Sequence, residues 1–122
     1  MPSPLRPLST IAELDVAVAA SSTRPILIFK HSSTCGTSAM AHEEIDALVA
    51  SAPLAADIYL LHIQSARAVS SEIERRLHVR HESPQVLLIQ DGQVVWSATH
   101  FRVTAAAMLA AIDAAAAAPL SV

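Results

Sequence analysis

The stretch "SPQVLLIQDGQVVW", Ser83–Trp96, decides what kind of sheet this chain builds. Two apolar runs, Gln85 to Ile89 and Val94 to Trp96, are separated by Asp91-Gly92, the pair that most readily takes the positive φ of a tight antiparallel turn. The segment predicts a β-hairpin entered through Ser83-Pro84. Working back from it, Ile26-Leu-Ile-Phe29 and Asp57 to Ile63 are short apolar runs of the kind found in strands covered on both faces.

Helical spacing fills the intervals. Thr10-Ile-Ala-Glu13 fits a capping box, and Ile11, Leu14 and Val18 carry a first helix from Thr10 to Ala20. Ala41, Ile45, Leu48 and Ala52 predict a second helix stopped by Pro53, and Val69, Ile73 and Leu77 a third with Glu and Arg on its outer side. A fourth begins near Thr104 and runs through Met108, Leu109 and Ile112 to Pro119. The order α-β-α-β-α-β-β-α implies an α/β fold, a mixed four-stranded sheet flanked by helices on both faces. The expected organisation is one domain over residues 1–122, with 1–9 ("MPSPLRPLS") as an irregular lead-in and 119–122 as a tail.

Composition narrows the partners. The 122 residues are 52% hydrophobic and 16% charged, which excludes a disordered chain. A net charge of −3, no basic run and only 3% aromatic residues argue against nucleic acid. No run is long and apolar enough for a membrane helix, and the amino terminus lacks a signal peptide's apolar core, so a cytoplasmic protein is expected. Two glycines in the whole chain leave no glycine-rich phosphate cradle.

The chemistry concentrates in "FKHSSTCGTS", Phe29–Ser38, which holds the chain's one cysteine, Cys35. Between a buried strand and its following helix, the thiol falls in the first helical turn, with Ser33 or Thr34 as candidate N-cap. Free amides and the helix dipole there favour a negative sulfur. An ordinary thiol, with a pKa near ~8.5, is about 3% ionised at pH 7. Lowering the pKa to roughly 6 makes about nine-tenths of it thiolate, worth on the order of 3 kcal/mol. Ser38 gives C-x-x-S in place of a dithiol, so a mixed disulfide on Cys35 must be resolved by an external thiol.

Alternation along the strand aims one of Lys30 and His31 at the thiol. Pro84, opening the hairpin, is expected opposite the helix start, where a cis bond would turn the Ser83 backbone towards the sulfur and towards an extended substrate. Each residue has a plainer role open to it: an inert buried Cys35, a solvated strand end for Lys30 and His31, an edge-strand start for Pro84. The six histidines (His31, His42, His62, His78, His81, His100) show no ligand spacing and are expected as a scattered surface set without metal. Trp96 is expected as packing, and Glu43-Glu44 as a solvated pair.

"FKHSSTCGTSAMA" and "SPQVLLIQDGQVVW" together resemble the monothiol bacilliredoxins, the YtxJ-like branch of the thioredoxin superfamily and part of the bacillithiol redox system. Phe29, Lys30, His31 and Ser32 match the family's strand end; Thr34, Cys35 and Ser38 match its Thr-Cys-Pro-x-Ser. The resemblance runs from about Leu14 to Ile112. It implies a thioredoxin-like fold, Pro84 as the superfamily's cis-proline, and removal of bacillithiol or another small thiol from thiolated proteins by Cys35. Lys30, His31, Thr34, Gly36, Thr37, Ser38, Ser83 and Pro84 would support it, with no tightly bound cofactor and the small thiol as co-substrate. Gly36 replaces the family's usual proline, which makes Cys-Gly-Thr-Ser look like the Cys-Gly-Phe-Ser of monothiol glutaredoxins. "WSATHFRVT" lacks the Gly-Gly-Cys-Asp with which those grip glutathione. Two other readings stay open: an iron–sulfur carrier sharing a cluster between two copies through Cys35, and a binding module with an inert cysteine.

Overall fold

A computed structural model of the chain describes residues 5–34, 36–51 and 53–117. Its elements are β1 (Leu5–Pro7), α1 (Ile11–Ala20), β2 (Ile26–His31), α2 (Gly36–Ala50), β3 (Asp57–His62), α3 (Arg67–Leu77), β4 (Gln85–Gln90), β5 (Gln93–Thr99), a 3-10 turn (His100–Arg102) and α4 (Ala105–Ala117). The sheet has five strands in the order β1-β3-β2-β4-β5. β1 and β2 both run parallel to β3, while β4 pairs antiparallel with β2 and with β5.

The fifth strand corrects the expected four-stranded sheet and the irregular lead-in. Leu5, Arg6 and Pro7 lie in register with Ile58, Tyr59 and Leu60, and the Leu8 N–H continues the pairing to the Leu60 carbonyl at 2.9 Å. Proline is tolerated because β1 is an edge strand in the described sheet, a place where its missing N–H need not interrupt a ladder. Its partner's backbone makes this strand, with no apolar period of its own to announce it.

The other elements fall where apolar spacing places them. Thr10 Oγ1 accepts the Glu13 N–H while the Glu13 carboxylate accepts from the Thr10 N–H, the reciprocal capping box that opens α1. Asp91 and Gly92 take φ of 56° and 72°, the double positive turn that matches the twist of the flanking strands. Alternation along β2 and β4 then splits the interior. Leu27, Phe29, Val86 and Leu88 pack beneath Ala41, Ile45, Met108 and Ile112 of α2 and α4, and Trp96 packs against this layer. Ile26, Ile28, Leu87 and Ile89 pack beneath Leu14, Ala17, Val69 and Ile73 of α1 and α3. At ~25 cal/mol per Å2 of apolar surface removed from water, these two layers are the main source of stability.

Glu44 is not simply solvated. Its carboxylate accepts the Ala105 N–H at 2.8 Å and, with the Thr104 hydroxyl accepting from Ala107 N–H at 3.2 Å, caps α4. That ties α4 to α2, the helix beginning at Gly36. Among the described residues no helix is long and apolar enough to cross a membrane.

Candidate active site

The carboxyl ends of β2 and β3 and the start of β4 meet at one edge of the sheet, where α2 begins. Cys35 lies outside the described residues, and with it the expectation of a thiolate in the first helical turn; its neighbours Thr34 and Gly36 are described. Residues 32–34 form a turn held from β3's exit by Gln64. The Gln64 carboxamide donates to Ser32 Oγ at 2.7 Å and to Thr34 Oγ1 at 3.3 Å, and its oxygen accepts the Ser33 N–H at 3.3 Å. The Thr34 hydroxyl is therefore engaged by Gln64 and Ser32, and among the described residues neither Ser33 nor Thr34 caps α2. The Thr34 N–H is also turned inward, to Ser32 Oγ at 3.4 Å, so among the described residues the amides left at the helix start are those of Gly36 and Thr37.

Ser38 and Ser83 meet here. Ser38 is fully buried; its hydroxyl oxygen accepts the Ser32 N–H at 3.3 Å and stands 3.4 Å from Ser83 Oγ. The Ser83-Pro84 bond is cis. The Pro84 carbonyl accepts the His100 N–H at 3.1 Å, whereas the Ser83 N–H and carbonyl make no hydrogen bond among the described residues. That free backbone can take an extended chain by β-augmentation.

Lys30 and His31 separate as the strand period requires. His31 is on the α2 face, its ring 5.5 Å from Phe29, 5.2 Å from His42 and 5.4 Å from His62 between centroids. Its Nδ1 is buried with no partner among the described residues. Burial first, and then the neighbouring His42 and His62, hold the His31 pKa below its ordinary value, with the Ser38 backbone acting the other way. Lys30 is on the α1/α3 face, wholly enclosed, with Nζ 3.2 Å from His81 Nδ1. Of the two, His31 shares the helix face and Lys30 does not.

Three of the six histidines, His31, His42 and His62, form one ring cluster, while His78, His81 and His100 are exposed and outside it; no group of three ligating side chains among the described residues can hold a metal ion. Gln64 and His81 escape sequence reasoning because each acts on a segment about thirty to fifty residues away in the chain. The one local hint for Gln64 is an amide placed directly after an apolar strand.

Known proteins share this fold. A model of the family described as "Monothiol bacilliredoxin BrxC" matches residues 6–108. A solved structure described as "A putative oxidoreductase with a thioredoxin fold" is similar at 28% identity and TM-score 0.76, over 88% of this chain and 92% of that one. A mutant thioredoxin from Halobacterium salinarum is similar at 17% identity and TM-score 0.74, over 98% of each chain. Mitochondrial thioredoxin 3 from Saccharomyces cerevisiae follows at 15% identity and TM-score 0.69, over 90% and 94%. The last two speak for the thioredoxin fold alone.

Proposed function

The chain belongs to the monothiol bacilliredoxin family, and from that premise we propose that it is a thiol–disulfide oxidoreductase that removes bacillithiol, or another low-molecular-weight thiol, from protein mixed disulfides through Cys35. The observation that carries this reading is the meeting of Ser38 and Ser83 at the start of α2, oxygens 3.4 Å apart, with a Ser83 backbone that makes no hydrogen bond among the described residues. That brings a helix start, a polar hydroxyl pair and a strand-like docking edge to the two ends of the segment containing Cys35.

In the proposed cycle the Cys35 thiolate attacks the small-thiol sulfur of a protein mixed disulfide. A bond forms between the two sulfurs, the original disulfide breaks, and the target cysteine leaves as a thiolate that takes a proton from water. Cys35 now carries the small thiol. A second molecule of that thiol, as thiolate, attacks the adduct, restoring Cys35 and releasing the symmetrical small disulfide. C-x-x-S provides no internal thiol to compete with this second step. The Gly36 and Thr37 amides would stabilise the sulfur, Ser38 would lie within its first turn, and Ser83 would align the incoming chain. A reducing cytoplasm, where a lone thiol persists, goes with this reading.

Release of the small thiol from a thiolated target, followed by mass spectrometry, tests it. Cys35→Ser is expected to reduce release to background, and unchanged release in that variant ends the proposal. The mass of the adduct on Cys35 after gentle purification identifies the thiol.

A further inference from the structure

Lys30 is a wholly buried lysine whose ammonium meets no carboxylate in an ion pair among the described residues. Its partner is a neutral-type acceptor, His81 Nδ1, at 3.2 Å, and the same nitrogen stands 3.2 Å from Ser70 Oγ. With the Lys30 ammonium donating to that nitrogen's one lone pair, the ring keeps its proton on Nε2 and remains a donor through it, and the Ser70 hydroxyl keeps its own proton to give elsewhere. A buried cation whose hydrogen-bond partner is neutral, with Glu74 the carboxylate whose charge bears on it outside any ion pair, is costly unless further anionic charge is supplied.

A cavity of about 170 Å3 opens beside this pair, lined by Ile63, Arg67, Ser70, Ser71, Glu74 and His81. Arg67 is exposed on the first turn of α3 and joins no ion pair among the described residues. The one carboxylate in the lining, Glu74, accepts the His81 N–H at 3.1 Å. Glu82 bears on His81 from outside the lining. The cavity is linked through the chain to the candidate active site at two points. Ile63 donates its N–H to the His31 carbonyl at 2.9 Å and precedes Gln64, the clamp on residues 32–34, while His81 stands two residues before Ser83.

We propose that this cavity seats the carboxylate-bearing end of the low-molecular-weight thiol, with Arg67 as its ion-pair partner and Ser70, Ser71 and His81 as hydrogen-bond donors over the Lys30 charge. The inference rests on the oxidoreductase reading and adds to it the substrate class and the residues that select it: anionic small thiols over neutral or cationic ones. Lys30 acts through His81, as a positioning residue. Its proton affinity is lowered to about 8, mainly by burial and against the pull of Glu74, and a bound anion raises it again.

The test compares how fast the reduced protein forms a Cys35 adduct with glutathione disulfide, with neutral hydroxyethyl disulfide and with cationic cystamine. A preference for glutathione disulfide over hydroxyethyl disulfide is expected. Arg67→Gln should lower that ratio about five- to tenfold, and Arg67→Lys should recover part of it. An unchanged ratio in Arg67→Gln, or a wild-type preference for cystamine, overturns the proposal. The pocket is separated from the chemistry by titrating Cys35→Ser protein with S-methylglutathione and following amide NMR shifts. Shifts centred on Arg67, Ser70 and His81 that vanish in Arg67→Gln support the pocket even if exchange is absent. No shift there at millimolar ligand overturns it even if exchange proceeds.

Discussion

The two ends of the sheet are both polar, and they are built to opposite purposes. At the end where β2 begins, Ser21 and Arg24 turn their polar groups inward. Ser21 is fully buried; its carbonyl accepts the Asp91 N–H and its hydroxyl oxygen the Gly92 N–H, each at 2.9 Å, so the end of α1 holds the hairpin turn. Arg24 donates to Asp57 at 3.2 Å and to the carbonyls of Leu54 and Ala56. At the other end, polar groups are left over: His31 Nδ1 and Gln85 Oε1 are buried without partners, and the Ser83 backbone is free among the described residues. Buried polar atoms are normally satisfied. Among the described residues the exceptions cluster at one end, the end of the candidate site, and the lesson is that unsatisfied donors and acceptors distinguish the two ends better than polarity does.

The largest expected effect tests the open end through Lys30. The unfolded chain holds this proton up to its ordinary 10.5, the folded chain only up to about 8. Between those values the unfolded state binds more protons, so stability rises with pH, by up to about 3 kcal/mol, and the burial penalty is felt in full below pH 8. Urea unfolding from pH 7 to 10.5 should show this rise, and Lys30→Met should flatten it. A wild-type curve that is flat or falls over that range contradicts the assigned burial.

Next comes an exchange of effects between the ends. Ser21→Ala leaves the Gly92 N–H without its acceptor and should cost about 1–3 kcal/mol in chemical denaturation, with little change in the alkylation rate of Cys35. Gln64→Ala, at an exposed residue, should do the reverse: under about 1 kcal/mol of stability, but a several-fold slower alkylation as residues 32–34 lose their clamp. If Gln64→Ala destabilises as Ser21→Ala does and leaves alkylation alone, the contrast between the ends is wrong.

Much of this is legible in the residues alone, and the gaps have physical reasons. Apolar period and turn chemistry place four strands and four helices, because the periods of 3.6 and 2 are local properties. β1 escapes because Leu5-Arg6-Pro7 is a strand only by virtue of β3's backbone. In the site, Ser38, Ser83 and Pro84 can be anticipated since a helix start and a hairpin entry converge in this topology. The separation of Lys30 from His31 follows from alternation, but which of them takes the α2 face does not. Gln64, Ser70 and His81 are contacts across the fold between residues with no local signature. Cys35, the residue on which the proposed chemistry rests, lies outside the described residues and is read only through its neighbours.

The smallest effect concerns Gly36. A methyl group built there meets nothing within 4 Å, and no positive φ demands glycine. As the first residue of α2 it is a position where proline is favoured. Gly36→Pro should raise stability by about 0.4–1 kcal/mol in urea unfolding, by restricting the unfolded chain. A loss of stability would mean that the open end tolerates less than its empty space suggests.

The clamp on residues 32–34 has one more consequence. It is made of hydroxyls, peptide groups and a single carboxamide, none of which gains or loses a proton between mild acid and mild base. The grip on the turn before Cys35 is therefore the same in mild acid as in mild base. Any inflection in a pH–rate curve for Cys35 comes from groups outside that grip, so the acidity of the sulfur can be measured without the scaffold shifting beneath it.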